Sequence, residues 1–326
     1  MKVHLLYPDR DFDFRGALPP NEEDLVQDLG LEALFEAMAD DQDFLRESVR
    51  RVLLAGVEGD RETILYRQAV LRDCLENRET VRRLYAAATG AIEGQRKNFW
   101  SSFRKYAGSA LYSAMELMRM FLDFLRELRE VADHGSAGFR SEGFGRLFEV
   151  IRRELGEDFF EEAEGHLKEL ALKEGVLMSA QVGRNNKGTA YALHRMPRQE
   201  KGWIRRLLPR HERKLSFCIG DRDEAGARAL GDLKDRAIER VAVAMSLSSD
   251  HVFSFFVALR GELAFYVGCL NLRERLERLG SPVTFPVPED PRTERGFSGR
   301  GLYDPCLALR LGKPPSATTW RARGRA

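Results

Sequence analysis

The sequence predicts a mainly α protein, an elongated helical core with long lever helices and a small antiparallel β insert. Three observations predict it. Apolar residues recur at helical spacing in nearly every segment from residue 21 to about residue 173. Near Val176 the period shortens to that of strands and stays so to about residue 220. A second long helical pattern then opens at Asp221 and ends at a cluster of prolines, Pro282, Pro286, Pro288 and Pro291. At 326 residues the chain exceeds one comfortable core, so two or three units sharing a scaffold are expected.

Taken in order, residues 1–20 read as an N-terminal strand or docked arm, because the apolar run Met1 to Tyr7 is closed by Pro8-Asp9. Pro19-Pro20-Asn21 introduces a helix, with Asn21 as its cap and Glu22, Glu23 and Asp24 at the positive end of its dipole. Residues 21–174 form the helical core and first lever. Ile64, Leu65, Gln68, Leu71 and Leu75 mark one helix, and Phe144, Leu147, Phe148, Ile151 and Leu155 another. Leu111 to Val131 is the longest such pattern, with Leu117, Phe121, Phe124, Leu125 and Leu128 on one side, suited to a coiled or bundled helix. No repeat of 20 to 50 residues is visible, which disfavours a solenoid.

Residues 175–220 read as a small basic β insert whose strands are Val176–Val182, Ala190–His194 and Lys214–Ile219. Residues 221–281 carry the returning lever, through Leu230, Leu233, Ile238, Val241 and Met245, and then a further apolar helix from Val252 to Leu279. Residues 282–315 form a proline-rich connector and the start of another domain. Residues 316–326 read as a tail in which the ordered pattern dissolves.

Composition narrows function. Acidic and basic side chains nearly balance, but residues 1–60 carry 15 acids and 6 bases whereas residues 184–214 carry 10 bases and 2 acids. The bases are Arg184, Lys187, Arg195, Arg198, Lys201, Arg205, Arg206, Arg210, Arg213 and Lys214, interleaved with Tyr191, His194, Trp203 and His211. This mixture suits contact with phosphates, without any residue that fixes base-edge readout; the plain alternative is a solvated loop between strands. The four cysteines lie far apart and read as reduced packing residues of a cytoplasmic protein. No unbroken apolar run approaches a membrane span, and no signal-peptide pattern opens the chain. The six histidines lack ligand spacing, so no metal site is expected, and neither a nucleophile triad nor a carboxylate pair stands out.

The motif Glu62-Thr63-Ile64-Leu65-Tyr66-Arg67-Gln68 with Leu71 resembles the core-helix signature of MutS-family DNA mismatch repair ATPases. The passage Gly301-Leu302-Tyr303-Asp304-Pro305-Cys306-Leu307-Ala308-Leu309 resembles the lead-in to their ATPase domain. The resemblance covers about residues 25 to 315. It implies long helices that leave a core, carry a distal element and return, with double-stranded DNA as partner, a homodimer in the intact protein, and possible repair partner proteins. It also implies ATP and Mg²⁺ for the intact protein. None is expected for these residues themselves, because Gly312-Lys313 is followed by proline and lacks the upstream glycine of a phosphate loop.

Codons chosen for Pro315 to Trp320 can be read in another frame as Val-Gly-Asn-Asp-Val, the family's expected continuation, so the tail is expected to be a frameshift product. Asp158-Phe159-Phe160-Glu161 echoes the family's Phe-x-Glu mismatch wedge but stands in an acidic helix, where an ordinary amphipathic face is the simpler reading. Thr63, Arg67 and Gln68 are expected to be structural, joining helices through buried hydrogen bonds rather than catalysing. The rival to the DNA-clamp reading is a stand-alone helical module for a protein or RNA partner, with Val252 to Leu272 as its core or dimer face.

Overall fold

The computed structural model describes residues 1–56, 61–101, 107–171, 177–182, 188–194, 224–289, 296–314 and 316–323. The first seven residues form no strand; they are an arm whose Val3, Leu5 and Leu6 are buried. Three helices follow, α1 (Glu22–Asp28), α2 (Glu32–Ala39) and α3 (Asp43–Ala55). Asn21 holds the cap position of α1, yet its side chain makes no capping bond, leaving the three acids of the first turn to complement the dipole. Next come α4 (Arg61–Glu76), α5 (Arg78–Ser101) and α6 (Ala107–His134), the last embracing the longest apolar pattern in the sequence. α7 (Glu142–Glu154) starts where Ser141 accepts from the Phe144 amide, and α8 (Glu157–Leu170) follows.

Strands β1 (Leu177–Val182) and β2 (Gly188–His194) pair antiparallel, with Leu177 opposite His194 and a bulge between Ser179 and Gln181. The strand expected at Lys214–Ile219 lies outside the described residues. The two patterns expected after Asp221 are one helix, α9 (Glu224–Arg278). The Ser-rich stretch between them does not break it. It contains no Gly or Pro, and Ser248 and Ser249 donate their hydroxyls to the Ala244 and Met245 carbonyls one turn back.

Beyond the proline-rich connector, β3 (Gly296–Leu302), α10 (Pro305–Leu311) and β4 (Thr318–Arg323) complete the described elements. Asp304 caps α10 by accepting from the Cys306 and Leu307 amides, with Pro305 at the first helical position. β4 pairs antiparallel with β3, Gly299 opposite Trp320, so the residues after Pro315 fold as a strand rather than dissolving. Thr318, Thr319 and Trp320 have the branched and aromatic side chains that strands favour.

The chain divides into two compact units. The first comprises residues 1–93, 123–156 and 252–326. Phe35, Met38, Val49 and Leu54 form a core cluster there with Phe265, Cys269 and Leu272 packed against it. A Cβ on Gly268 would stand 2.6 Å from Val49 Cγ2, so α9 crosses α3 closely enough to require a residue without a side chain. A second knot joins Phe139, Phe144 and Phe148, with ring centroids 4.5 and 5.1 Å from that of Phe139. The Arg129 guanidinium closes the end of α7 by donating to the Arg152 and Leu155 carbonyls.

The second unit comprises residues 94–122 and 157–251. In it the Gly108 amide donates to Asp235 and the Ser249 hydroxyl to the Ala114 carbonyl, tying α6 to α9. Phe160 of the wedge-like tetrapeptide is 4% exposed and packs inward on α8, as an amphipathic helix face requires.

Among the described residues one helix, within Ile238–Arg278, is long and apolar enough to cross a membrane, its best 18-residue window having a mean hydropathy of 1.5. The expectation that no segment approaches this standard counted only unbroken apolar runs. Of that window 56% is buried inside the protein, which is how the core helix of a folded domain behaves.

Candidate functional site

The described residues bring one dense set of polar contacts together, around α4. Burial selects Thr63, Tyr66, Gln68, Val70, Asp73 and Cys74 along this helix, and its side chains hold three non-helical segments, the connector, the N-terminal arm and the loop before α7. The Arg61 Nε donates to the Pro288 carbonyl at 2.9 Å and the Gln68 Nε2 to the Pro286 carbonyl at 2.9 Å. The Arg72 guanidinium lies 4.5 Å from the Phe285 ring centroid. These three side chains fasten the connector. Tyr303 adds a bond from the far side, its hydroxyl donating to the Pro282 carbonyl.

Elsewhere on the helix the contacts run to the N-terminal arm. The Tyr66 hydroxyl donates to the His4 carbonyl at 2.5 Å and the Arg67 Nε to the Leu6 carbonyl at 2.7 Å. The Arg67 guanidinium also stands 4.6 Å from the Tyr7 ring centroid, and Arg10 stands 4.2 Å from it. At the last turn, buried Asp73 accepts from the Arg140 and Ser141 amides, fixing the loop that enters α7.

A second helix completes the seat of the arm. Glu262 of α9 is fully buried, and its carboxylate accepts from the Leu5, Leu6 and Phe12 amides at 2.6, 3.0 and 2.8 Å. Tyr266, one turn on, donates its hydroxyl to the Leu5 carbonyl at 2.7 Å. Burial pushes the Glu262 carboxyl up to about 7, against the lowering effect of those three amides. Burial likewise raises Tyr66 to about 12 and Tyr266 well above its usual range, so both phenols stay protonated as donors.

Of the residues singled out in the sequence, Arg67 and Gln68 lie in this set, and Thr63 is buried on the same helix. The Arg67 and Gln68 bonds go to carbonyls of non-helical segments, not from helix to helix as the sequence reading expected. The ten cations Arg184, Lys187, Arg195, Arg198, Lys201, Arg205, Arg206, Arg210, Arg213 and Lys214 all lie outside the described residues. In sequence Arg184 and Lys187 lie between β1 and β2 and the other eight follow β2; on the strands themselves exposed Ser179 and His194 share a hydrogen bond of 2.7 Å. Sequence reasoning missed Glu262. A lone acid on the buried face of an apolar helix was the available signal.

Chemically the set offers donors to backbone carbonyls, two buried carboxyl groups, Asp73 and Glu262, and phenols that stay neutral. Among the described residues no group of three His, Cys, Asp or Glu side chains is placed to hold a metal ion. Gly312 and Lys313 follow the last turn of α10, with Gly312 left-handed at φ 64°. That is the carbonyl end of a helix, whose partial negative charge opposes a phosphate.

Residues 59–279 match the family described as the MutS2 N-terminal domain, more than half of the chain. The match takes in α4, Glu262, Tyr266 and all ten cations, while the arm and the connector lie outside it. No curated protein and no solved structure matches the chain.

Proposed function

Because the chain belongs to the MutS2 N-terminal domain family, we propose that it is the DNA-binding core and lever part of a MutS-like mismatch repair or DNA-remodelling ATPase. In this reading it works in the cytoplasm, as part of a homodimer, and couples nucleotide binding at a site outside these residues to the grip on double-stranded DNA. The observation that carries the reading is the position of the ten cations. They fall inside the family match, Arg184 and Lys187 between β1 and β2 in sequence and the other eight in the stretch that follows β2. A basic, aromatic-bearing insert of that kind holds the phosphate backbone without reading bases.

ATP and Mg²⁺ do not fit the described residues. Gly312-Lys313 stands at the carbonyl end of a seven-residue helix, and Pro314 occupies the place of the hydroxyl side chain that a phosphate loop presents to Mg²⁺. The part played by this chain is therefore transmission and contact. Core helices hold the connector and the arm, and the basic insert meets the nucleic acid.

The test is fluorescence anisotropy with a labelled DNA duplex between 50 and 200 mM salt, as a rough working range. If about five cations touch phosphates, log affinity falls with log salt at a slope of about −4 to −5. Reversing Arg205, Arg206 and Arg210 to Glu should flatten that slope. A chain that ignores duplex DNA, or binds with no steep salt dependence, overturns the clamp reading; preference for RNA supports its rival.

A further inference from the structure

The arm is held in an unusual manner. Along residues 3–6 its described hydrogen bonds run to side chains rather than to other backbone. The Val3 and His4 amides donate to Asp11 within the arm, at 2.8 and 3.2 Å, which folds it into a hook. The Leu5 and Leu6 amides go to Glu262, and the His4, Leu5 and Leu6 carbonyls are met by Tyr66, Tyr266 and Arg67. Val3, Leu5 and Leu6 are no more than 1% exposed. His4 sits at φ 51°, in the left-handed region that a non-glycine residue occupies only when its surroundings over-determine it.

A strand in a sheet is paired backbone to backbone, whereas the main chain of the arm is met by side chains, most of them on α4 and α9. The geometry points to a peptide-binding groove between α4 and the C-terminal part of α9, which reads the main chain of a short hooked segment and holds the protein's own arm as its resident ligand. The ligand class is a short hooked peptide with adjacent leucines, whose two amides meet one carboxyl group, and a downstream aspartate that closes the hook. The groove has donor capacity to spare, because Arg67 Nη2 is buried with no hydrogen-bond partner among the described residues. Its receptor residues lie within the family match and its ligand outside, so the seat and the segment that fills it are separate parts of the sequence. This site is distinct from the DNA contact proposed above and does not rest on it.

Hydrogen exchange on the unaltered full chain tests the inference. A resident ligand releases as a unit, so the Leu5, Leu6 and Phe12 amides should exchange together, with protection about a hundredfold or more below that of the buried amides of α4. Exchange of these three in step with α4 overturns it. In a second arm, the full chain carrying Leu6→Asp, which vacates the seat, is titrated with a fluorescein-labelled synthetic peptide of residues 1–14. Binding that weakens tenfold or more when Glu262→Ala is added supports the groove. A folded Leu6→Asp variant that ignores the peptide refutes it, and if that variant does not fold, the exchange result on the unaltered chain decides.

Discussion

Glu262 makes the stability of the folded chain depend on pH in a direction opposite to that of most carboxylates. Its carboxyl is raised from 4.5 to about 7 in the folded protein, first by burial and last by the nearby Asp11, while the Phe12, Leu5 and Leu6 amides pull it down. The titratable and charged groups around it are Asp11 of the arm, itself paired with Lys2 and near His4, Tyr66 and Arg67 of α4, and Tyr266 of its own helix. A group whose folded value lies above its unfolded one contributes stability that is complete below about 4.5 and lost as pH rises through about 7. One unit is worth about 1.4 kcal/mol, so the full window amounts to about 3 kcal/mol. Most of that, about 2 to 3 kcal/mol, falls between pH 5 and pH 8. Urea unfolding of the wild-type chain and of Glu262→Gln at these two pH values isolates the effect, since the amide has no charge to lose. The substituted side chain still presents one acceptor to the Leu5 and Leu6 amides but sets an NH₂ against the Phe12 amide, so the variant is weaker at pH 5 and loses less on going to pH 8. Equal losses in both proteins would refute the reasoning, and would mean that the three amides fully offset burial.

Asp73→Ala strips the Arg140 and Ser141 amides of their acceptor in a buried site, and the expected cost is about 2 to 4 kcal/mol, read as a lower urea midpoint with an unchanged slope. Gln68→Ala removes the bond to the Pro286 carbonyl, at about 1 kcal/mol, and should speed proteinase K cleavage within residues 282–289 several-fold; unchanged cleavage would mean that Arg61 and Arg72 hold the connector by themselves.

Helical phase made most of the fold legible. Phe144, Leu147, Phe148 and Ile151 are spaced as one buried stripe and all four are buried in α7, and the pattern from Leu111 to Val131 falls within α6. Where the reading failed or left alternatives open, the deciding interaction was non-local or locally ambiguous. Met1 to Tyr7 reads equally as a strand or a docked arm, and partners 61 to 261 residues away make it the arm. The serines near residue 248 look like a break because their hydroxyls compete with the backbone, yet in α9 they bond back one turn and the helix continues. Asp304-Pro305 was a legible helix start that the sequence reading passed over. In the candidate site Arg67 and Gln68 were visible as a motif. Glu262 was not, because a single acid in an apolar helix gives no hint of which three amides it will meet.

The bond between Leu5 and Glu262 joins residues 257 apart in sequence. During synthesis the arm therefore leaves the ribosome well before the carboxylate that receives it exists. At about 5 to 20 residues per second the interval is roughly 13 to 50 seconds. Through that time Val3, Leu5 and Leu6 have no cavity to enter, and α4, already made, can offer only half of their seat. The nascent chain carries these apolar residues without their seat until Glu262 has been made. Closing the seat waits on α9, and chaperones that bind short hydrophobic segments have their opportunity before it closes.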